Sequence, residues 1–227
     1  MGIRSTTWYR PRVKFCGLTR IQDAEYAADS GVDIIGLVQV AASPRFVGLD
    51  QALALASAVR GRSQVALLFM DPDEQSVRDA VSALSPDLLQ FHGSEPASFC
   101  RRFGLPWIKA LGVRGLAPDE LREHGQAYAD ASYLLLDGHA PGEQGGSGQQ
   151  VAADLRVPVE RRRLMLAGGL NPDSVGPAIR HFQPACVDVS SGIESGPGVK
   201  DQHRMRAFLQ AVEQAAIACR RHQREDS

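Results

Sequence analysis

Two residues of unlike chemistry, a cysteine and an aspartic acid, stand at the ends of apolar runs that are far apart in the sequence. Cys16 follows the run 13–15, and Asp137 follows the run 133–136. A thiol whose pKa is lowered can take a proton, and a carboxylic acid whose pKa is raised can donate one. Facing each other, they would suit an isomerisation that moves a proton. The alternative interpretation is that Cys16 packs in a strand and Asp137 caps a helix.

Two segments of small residues follow the last two apolar runs of the chain. Gly168 and Gly169 follow the run 164–166, and Ser190, Ser191 and Gly192 follow the run 186–189. Such loops bind phosphate through backbone N–H groups, and a bulky side chain there would hold the anion away from the amides. Turns also need glycine, so a single segment is a weak signal. Two segments after consecutive runs predict a phosphate site.

Other reactive side chains fit known chemistry less well. Lys109 stands near the end of the run 107–110 and would suit a Schiff-base aldolase, but a lysine there more often extends its ammonium group to solvent. No segment is typical of a cysteine protease, and no HExxH or GxSxG motif occurs. The cysteines have no metal-site spacing, and no His/Asp cluster stands at the ends of the runs. We therefore expect no metal site.

Eight short apolar runs alternate with segments of helical periodicity, and these elements must position the reactive residues. Strands buried on both faces of a parallel sheet appear as continuous apolar runs. The runs lie at 13–15, 34–38, 65–69, 88–91, 107–110, 133–136, 164–166 and 186–189. Capping residues predict helices that open near Thr19, Asp50, Asp71, Ser94 to Pro96, and Asn171.

Eight strand–helix units predict an α/β fold, a single (β/α)8 TIM barrel with eight parallel strands and its reactive side chains at their C-terminal ends. An open doubly wound sheet is the alternative, but no Gly-x-Gly-x-x-Gly motif follows the first run. The glycine-rich segment 138–150 predicts an irregular loop with at most a weak helix after it. We assign residues 12–219 to the barrel, 1–11 to an N-terminal extension and 220–227 to a C-terminal tail.

The overall composition excludes several classes of protein. With 227 residues, 44% of them hydrophobic and 22% charged, the chain is globular and not disordered. A formal net charge of -1 argues against a partner that is a nucleic acid or a membrane surface, and no run approaches the roughly 18 apolar residues of a membrane span. The N-terminus lacks a signal-like apolar segment, which predicts a cytoplasmic protein. Free thiols fit that setting. They are Cys16, Cys100, Cys186 and Cys219.

Eight short motifs occur in a fixed order along the chain. They are 14–19 (KFCGLT), 43–47 (SPRFV), 89–93 (LQFHG), 135–137 (LLD), 145–148 (GGSG), 166–170 (LAGGL), 187–194 (VDVSSGIE) and 198–201 (GVKD). Together they resemble the phosphoribosylanthranilate isomerase family, from about Val13 to Ala211. The ordered set is specific, although no single motif is.

The resemblance implies an Amadori rearrangement in tryptophan biosynthesis, in which N-(5-phosphoribosyl)anthranilate becomes 1-(2-carboxyphenylamino)-1-deoxyribulose 5-phosphate. It implies no metal and no organic cofactor. Asp137 corresponds to the general acid that protonates the furanose ring oxygen, and Cys16 to the general base that takes the C2′ proton. Arg45 corresponds to a residue near the anthranilate carboxylate. His92 and Asp188 would line the pocket, and the two loops of small residues would bind the phosphate.

Three segments depart from the family pattern. Met70-Asp71 stands where the family usually has Val-Asn, residues 151–153 (VAA) stand in place of Phe-Asp-Trp, and Gln39 occupies a usually aromatic position. An isomerase with a shifted substrate and a non-catalytic phosphosugar-binding protein are therefore alternatives. The presence of both Cys16 and Asp137 favours the enzyme, because binding alone needs neither group. The expected partner is a small phosphosugar-anthranilate molecule, and the expected assembly is a monomer or a homodimer.

Overall fold

Eight parallel strands close into a barrel in chain order. The computed structural model describes residues 9–140, 149–155, 157 and 159–225. Strands β1 to β8 are Arg12–Cys16, Ile34–Val38, Gln64–Phe69, Leu88–Phe91, Trp107–Gly112, Tyr133–Asp137, Leu164–Leu166 and Cys186–Val189. Each predicted apolar run lies within one of these strands, and the predicted TIM barrel is confirmed.

The strands are buried on both faces, which explains their continuous apolar sequences. Every residue of β2 and of β5 is buried. Ile34, Ile108 and Met165 belong to the cluster that fills the barrel interior. Phe15 points the other way, and its ring packs edge-on against Phe208 of the last helix at 5.9 Å. The barrel is therefore a packed core, and only the ends of its strands are left to form a site.

Helices connect most of the strands on the outside of the barrel. In the described part of the chain, α1 to α7 are Ile21–Asp29, Leu49–Val59, Glu74–Leu84, Ala97–Cys100, Pro118–Ala127, Val175–Phe182 and Gln202–Glu225. Between β6 and β7, the described residues form only the 3-10 turn Arg161–Arg163, in agreement with the predicted irregular connection. Most of the glycine-rich loop, including the motif at 145–148, lies outside the described residues.

Several helices begin at other residues than the capping pattern predicted. The N-cap of α3 is Asp73, whose side chain accepts the Ser76 N–H at 2.8 Å. Asp71 was predicted for this role, but it adopts a positive φ of 48° and accepts the Ser94 N–H at 2.6 Å instead. Two nearby aspartates carry the same capping signal, and only tertiary contacts decide between them. Likewise α1, α2 and α6 begin at Ile21, Leu49 and Val175, and not directly after Thr19, Asp50 and Asn171.

A two-stranded hairpin follows β8 and covers the end of β1. Its strands, β9 (Glu194–Gly196) and β10 (Val199–Lys200), pair antiparallel. The Thr19 hydroxyl donates to the Gly198 carbonyl at 2.6 Å, which fixes the hairpin to the loop after β1. The hairpin therefore adds residues from the end of the chain to the site formed at its beginning.

The two ends of the chain differ from the predicted segments at some points. Helix α7 continues past residue 219 to Glu225, so the secondary structure has no break at the predicted barrel boundary. Of the predicted N-terminal extension, residues 1–8 lie outside the described residues, and the Tyr9 hydroxyl donates to the Pro184 carbonyl at 3.1 Å. Among the described helices, none has both the length and the apolar character needed to cross a membrane.

Candidate active site

A cavity opens at the carboxyl ends of the barrel strands, where the reactive residues were predicted to meet. All predicted site residues except Gly192 line it. They are Cys16, Arg45, His92, Asp137, Gly168, Gly169, Asp188, Ser190 and Ser191. Residues from both ends of the chain are thus brought to one cavity, because β1 pairs with β8.

Cys16 is buried at the end of β1, with a glycine on the neighbouring strand making room for it. A Cβ atom at Gly36 would lie 2.9 Å from the Cys16 Sγ. Burial raises the pKa of the Cys16 thiol and Asp188 adds to the rise, while the ammonium groups of Lys14 and Lys200 act in the opposite direction. Burial therefore favours the protonated form of this thiol, opposite to the lowered pKa that would help it to take a proton.

Asp137 is buried at the end of β6. Burial raises the pKa of its carboxyl and the Asp188 carboxylate also raises it, against the opposing effect of His139. A carboxyl with a raised pKa keeps the proton that a general acid must donate. Gly168 leaves room for this group: it has a φ of +83°, and a Cβ atom there would lie 2.7 Å from the Asp137 Oδ1. The packing of Asp137 therefore itself requires glycine at position 168.

Gly192 differs from the other predicted phosphate-binding residues because it does not line the cavity. A Cβ atom there would overlap the carbonyl oxygen of Leu170, in the loop after β7. Glycine at this position therefore allows the loops after β7 and β8 to touch. Ser191, the next residue towards the cavity, begins the 3-10 turn Ser191–Ile193. The two loops form one surface beside the cavity.

The Arg45 side chain is held by a buried carboxylate. Its Nε and Nη2 donate to the two oxygens of Glu194 at 2.9 and 2.7 Å. The Lys200 Nζ donates to the same carboxylate at 2.8 Å and to the Cys16 carbonyl at 2.6 Å. Gly17 permits this packing, since a Cβ atom there would lie 2.5 Å from the Arg45 Cδ. Glu194 and Lys200 were not predicted as site residues, although both stand in motifs of the resemblance.

A second buried ion pair lies beneath the cavity. The Lys14 Nζ donates to the Asp188 Oδ1 at 3.0 Å, and Lys14 is fully buried. Burial disfavours its charge, but Asp188 and Cys16 outweigh this effect and raise the pKa of Lys14. Removing one partner of such a pair leaves an uncompensated buried charge, which costs about 3–5 kcal/mol. Asp188 is thus fixed by Lys14 at the wall of the cavity.

Lys109 is only 1% exposed, so the expectation that it extends to solvent is wrong. Its Nζ donates to the Glu95 Oε2 at 2.7 Å and to the Gly93 carbonyl at 2.5 Å. The other Glu95 oxygen accepts the Asp71 N–H at 2.8 Å. Lys109 therefore holds the loops after β3 and β4 together. It is not among the described residues that line the cavity, which removes the support for a Schiff-base lysine.

Two histidines meet beside Asp137. The His92 Nε2 lies 3.0 Å from the His139 Nε2, which lies 3.6 Å from the Asp137 Oδ2. Burial, together with the neighbouring His139, lowers the pKa of His92 to about 3, so its imidazole is neutral. The expectation that no His/Asp cluster stands at these strand ends is wrong. His139 lies in the loop after β6, where spacing gives no sign of its proximity to His92.

Gln90 is a buried polar residue that the sequence analysis did not single out. It lines the cavity from β4 and is 1% exposed. Neither atom of its amide has a hydrogen-bond partner among the described residues. A buried polar group without a partner costs about 1–3 kcal/mol. The amide is thus available to donate to, and accept from, a ligand in the cavity.

Comparisons with known proteins identify the family to which this chain is similar. The family model for N-(5'-phosphoribosyl)anthranilate isomerase matches residues 13–211. The isomerase of that name from Stenotrophomonas maltophilia is 43% identical over 213 residues, which cover 93% of this chain and 97% of that protein.

Solved structures give the same result. The phosphoribosyl anthranilate isomerase of Thermotoga maritima has a TM-score of 0.80 and 30% identity, covering 90% of this chain and 99% of that one. An isomerase in complex with reduced 1-(o-carboxyphenylamino)-1-deoxyribulose 5-phosphate has a TM-score of 0.77 and 29% identity, covering 90% and 99%. By sequence and by structure, the chain belongs to the phosphoribosylanthranilate isomerase family.

Proposed function

We propose that this protein catalyses the Amadori rearrangement of N-(5-phosphoribosyl)anthranilate to 1-(2-carboxyphenylamino)-1-deoxyribulose 5-phosphate, a step of tryptophan biosynthesis. One observation carries the proposal. Cys16 and Asp137, a thiol and a carboxyl with a raised pKa, line the same cavity as the loops after β7 and β8. This is the combination that two proton transfers on a phosphorylated sugar require.

The reaction needs one proton donated and one removed. The Asp137 carboxyl donates its proton to the furanose ring oxygen, and the C1′–O bond breaks as the anilino nitrogen supplies its lone pair, which gives a Schiff base. Cys16, as the thiolate, then removes the C2′ proton and leaves an enolamine. The enolamine gains a proton at C1′ while its C2′ hydroxyl loses one, and the ketone forms. These steps need no metal or organic cofactor.

The charges around the cavity favour an anionic substrate. Arg45 and Lys200 share the single carboxylate of Glu194, so this cluster keeps one net positive charge. We place the anthranilate carboxylate near Arg45, whose Nη1 can donate to it while Nε and Nη2 donate to Glu194. Gln90 would hydrogen-bond to the substrate, with His92 and Asp188 in the pocket wall. The phosphate would lie at the loops after β7 and β8. Those loops contribute Gly168, Gly169, Ser190, Ser191 and Gly192.

An assay with purified protein tests the proposal directly. We expect turnover of phosphoribosylanthranilate, followed by the change in anthranilate fluorescence, and the same rate after treatment with a chelator. A protein that binds a product analogue but does not turn over this substrate would contradict the proposal. That result would favour the non-catalytic phosphosugar-binding protein, or an isomerase with a shifted substrate.

The phosphate position is tested by placing a negative charge beside it. Ser191→Asp should raise KM by about 10-fold or more with little change in kcat, because charge repulsion weakens substrate and transition state alike. Inorganic phosphate should also become a weaker competitor. The control is Ser195→Asp, an exposed serine on the hairpin. Equal KM values for the two variants would show that the phosphate binds elsewhere.

The rate should depend on the ionisation of Cys16. The general base works as the thiolate, and burial raises the pKa of this thiol, so the active form accumulates as pH rises. Asp137 must keep its proton in the same working form, so we expect kcat/KM, which reports the free enzyme, to fall on both the acidic and the alkaline side. The charged groups that face Cys16 are Lys14, Lys200, Asp188 and Arg45. A profile that lacks the acidic or the alkaline bend would contradict the paired roles of Cys16 and Asp137.

The remaining features of the proposal concern the setting of the enzyme. The substrate is a small phosphosugar, and the barrel of residues 12–219 carries the whole site. We further propose a cytoplasmic enzyme that is a monomer or a homodimer. Sedimentation of the purified protein distinguishes these two assemblies.

A further inference from the structure

We propose that His92, His139 and Asp137 form a binding site for a divalent transition-metal ion of the zinc type, and that such an ion inhibits the enzyme. The binding part of this inference rests on geometry alone. The inhibition part rests on the proposed function, because it assigns the general acid to Asp137.

The spacing of the three side chains fits a tetrahedral ion. Zinc binds imidazole nitrogen and carboxylate oxygen at about 2.0–2.2 Å, which places neighbouring ligand atoms of a tetrahedron roughly 3.3 Å apart. The two Nε2 atoms are 3.0 Å apart, and the His139 Nε2 is 3.6 Å from the Asp137 Oδ2. The potential ligand atoms of the three residues all lie within 4.8 Å of one another. Small movements of the side chains would close them around an ion.

The His139 ring is already oriented for this role. Its Nδ1 lies 2.8 Å from the Ala140 carbonyl, which can only accept, so Nδ1 carries the proton and Nε2 presents its lone pair. A hydrogen bond from the other ring nitrogen to a carbonyl is the usual support of a metal-binding histidine. Gly112 on β5 leaves room for this hydrogen bond, since a Cβ atom there would lie 2.5 Å from the His139 Nδ1 and 2.6 Å from the Ala140 carbonyl oxygen.

Asp137 is held in a compatible way. Its Oδ1 accepts the backbone N–H of His139 at 3.4 Å, and its Oδ2 is the oxygen that faces the imidazole. The nearby lysines do not add unbalanced charge, because Lys14 is paired with Asp188 and Lys109 with Glu95. The site can therefore accept a cation.

An ion can reach this site and would keep a free position there. His92 and Asp137 line the cavity, so the ion enters from the cavity and its fourth position faces the substrate space. Two imidazoles and one carboxylate suit zinc, cobalt or nickel better than magnesium or calcium, which prefer oxygen ligands. On binding, the His92 proton moves from Nε2 to Nδ1 so that Nε2 can bind the ion, and the Asp137 carboxyl releases its proton.

The expected consequence for the enzyme is competitive inhibition. A carboxylate that coordinates an ion cannot hold the proton that the ring oxygen must receive. The ion also occupies the wall of the cavity beside His92, where the substrate has to lie. Substrate and ion should therefore exclude each other.

Cobalt is a suitable probe because its visible spectrum reports its ligands. We expect one Co²⁺ per protein, with the visible bands of a tetrahedral nitrogen–oxygen site, no thiolate charge-transfer band, and displacement by Zn²⁺. His139→Phe, which keeps a ring beside His92, should weaken binding by about 10-fold or more. The matched control is His203→Phe, at an exposed histidine near the start of α7, which should bind as the original protein does.

Five outcomes are informative. A thiolate band that disappears in Cys16→Ala, or equal binding by His139→Phe and the control, overturns the site. Zinc-edge anomalous diffraction from soaked crystals needs no variant. A zinc peak that lies elsewhere, with none at these three residues, also overturns the proposed site. Zinc that binds here without raising the apparent KM overturns the inhibition alone. A protein that binds cobalt as expected but never turns over phosphoribosylanthranilate supports the site and contradicts the proposed function.

Discussion

Cys16→Ala is expected to lower kcat by about 10²- to 10⁴-fold, the usual contribution of a positioned general base. The thiol lies at the end of β1 in the cavity wall, and no other thiol lines the cavity among the described residues. Affinity for a product analogue should change little, because Arg45 and the loops after β7 and β8 remain. Steady-state kinetics and a fluorescence titration measure the two effects separately.

Two further variants sharpen this result. Cys16→Ser should fail as well, because an alcohol yields almost none of its conjugate base near neutral pH. Cys100→Ala removes a buried thiol of α4, outside the cavity, and should keep the original kcat. Near-normal turnover by Cys16→Ala would mean that the thiol only packs in the barrel, and the proposed mechanism would be wrong.

Asp137→Asn should also lower kcat by about 10²- to 10⁴-fold. The amide keeps the shape of the side chain but has no acidic proton for the ring oxygen. Because the carboxyl is buried and its pKa is raised, the original enzyme holds this proton ready, and the variant loses the ring-opening step. The rate should be measured together with binding of a product analogue, which should stay within a few-fold.

The control for this variant is Asp173→Asn, an exposed aspartate in the loop after β7. It should have the original kcat. Unchanged turnover by Asp137→Asn would assign the proton transfer to another group. A loss of product-analogue binding equal to the loss of kcat would instead make Asp137 a binding residue.

The sequence was sufficient to predict the strands and the residues at their ends. A strand that is buried on both faces is apolar along its length. Each continuous apolar run therefore indicates a strand, and no choice between a buried and an exposed face is needed. Reactive residues at the C-terminal ends of such strands lie at the same end of the barrel, and this does not depend on where the helices begin and end. For this reason the cavity contains Cys16, Asp137 and Arg45 as expected.

The partners of these residues could not be predicted in the same way. Lys14 and Lys109 are strand residues whose charges are balanced by Asp188 and Glu95, and nothing in their spacing indicates which acid faces which lysine. His139 lies in an irregular loop, where neither the helical nor the strand period applies. The predicted first residues of several helices were wrong for a related reason, because several polar residues near each helix start can serve as its N-cap.

The contacts between β1 and the end of the chain constrain how the protein is made. Lys200 donates to the carbonyl of Cys16, and Asp188 neutralises Lys14, so residues from the first tenth and the last fifth of the barrel sequence complete one site. A ribosome adds about 5–20 residues per second, so these partners follow β1 by roughly 10–40 s. Until then the nascent chain carries a thiol and an ammonium group whose native neighbours do not yet exist. The active site is therefore completed only after the hairpin has been synthesised, and any premature stop before the hairpin leaves a chain without it.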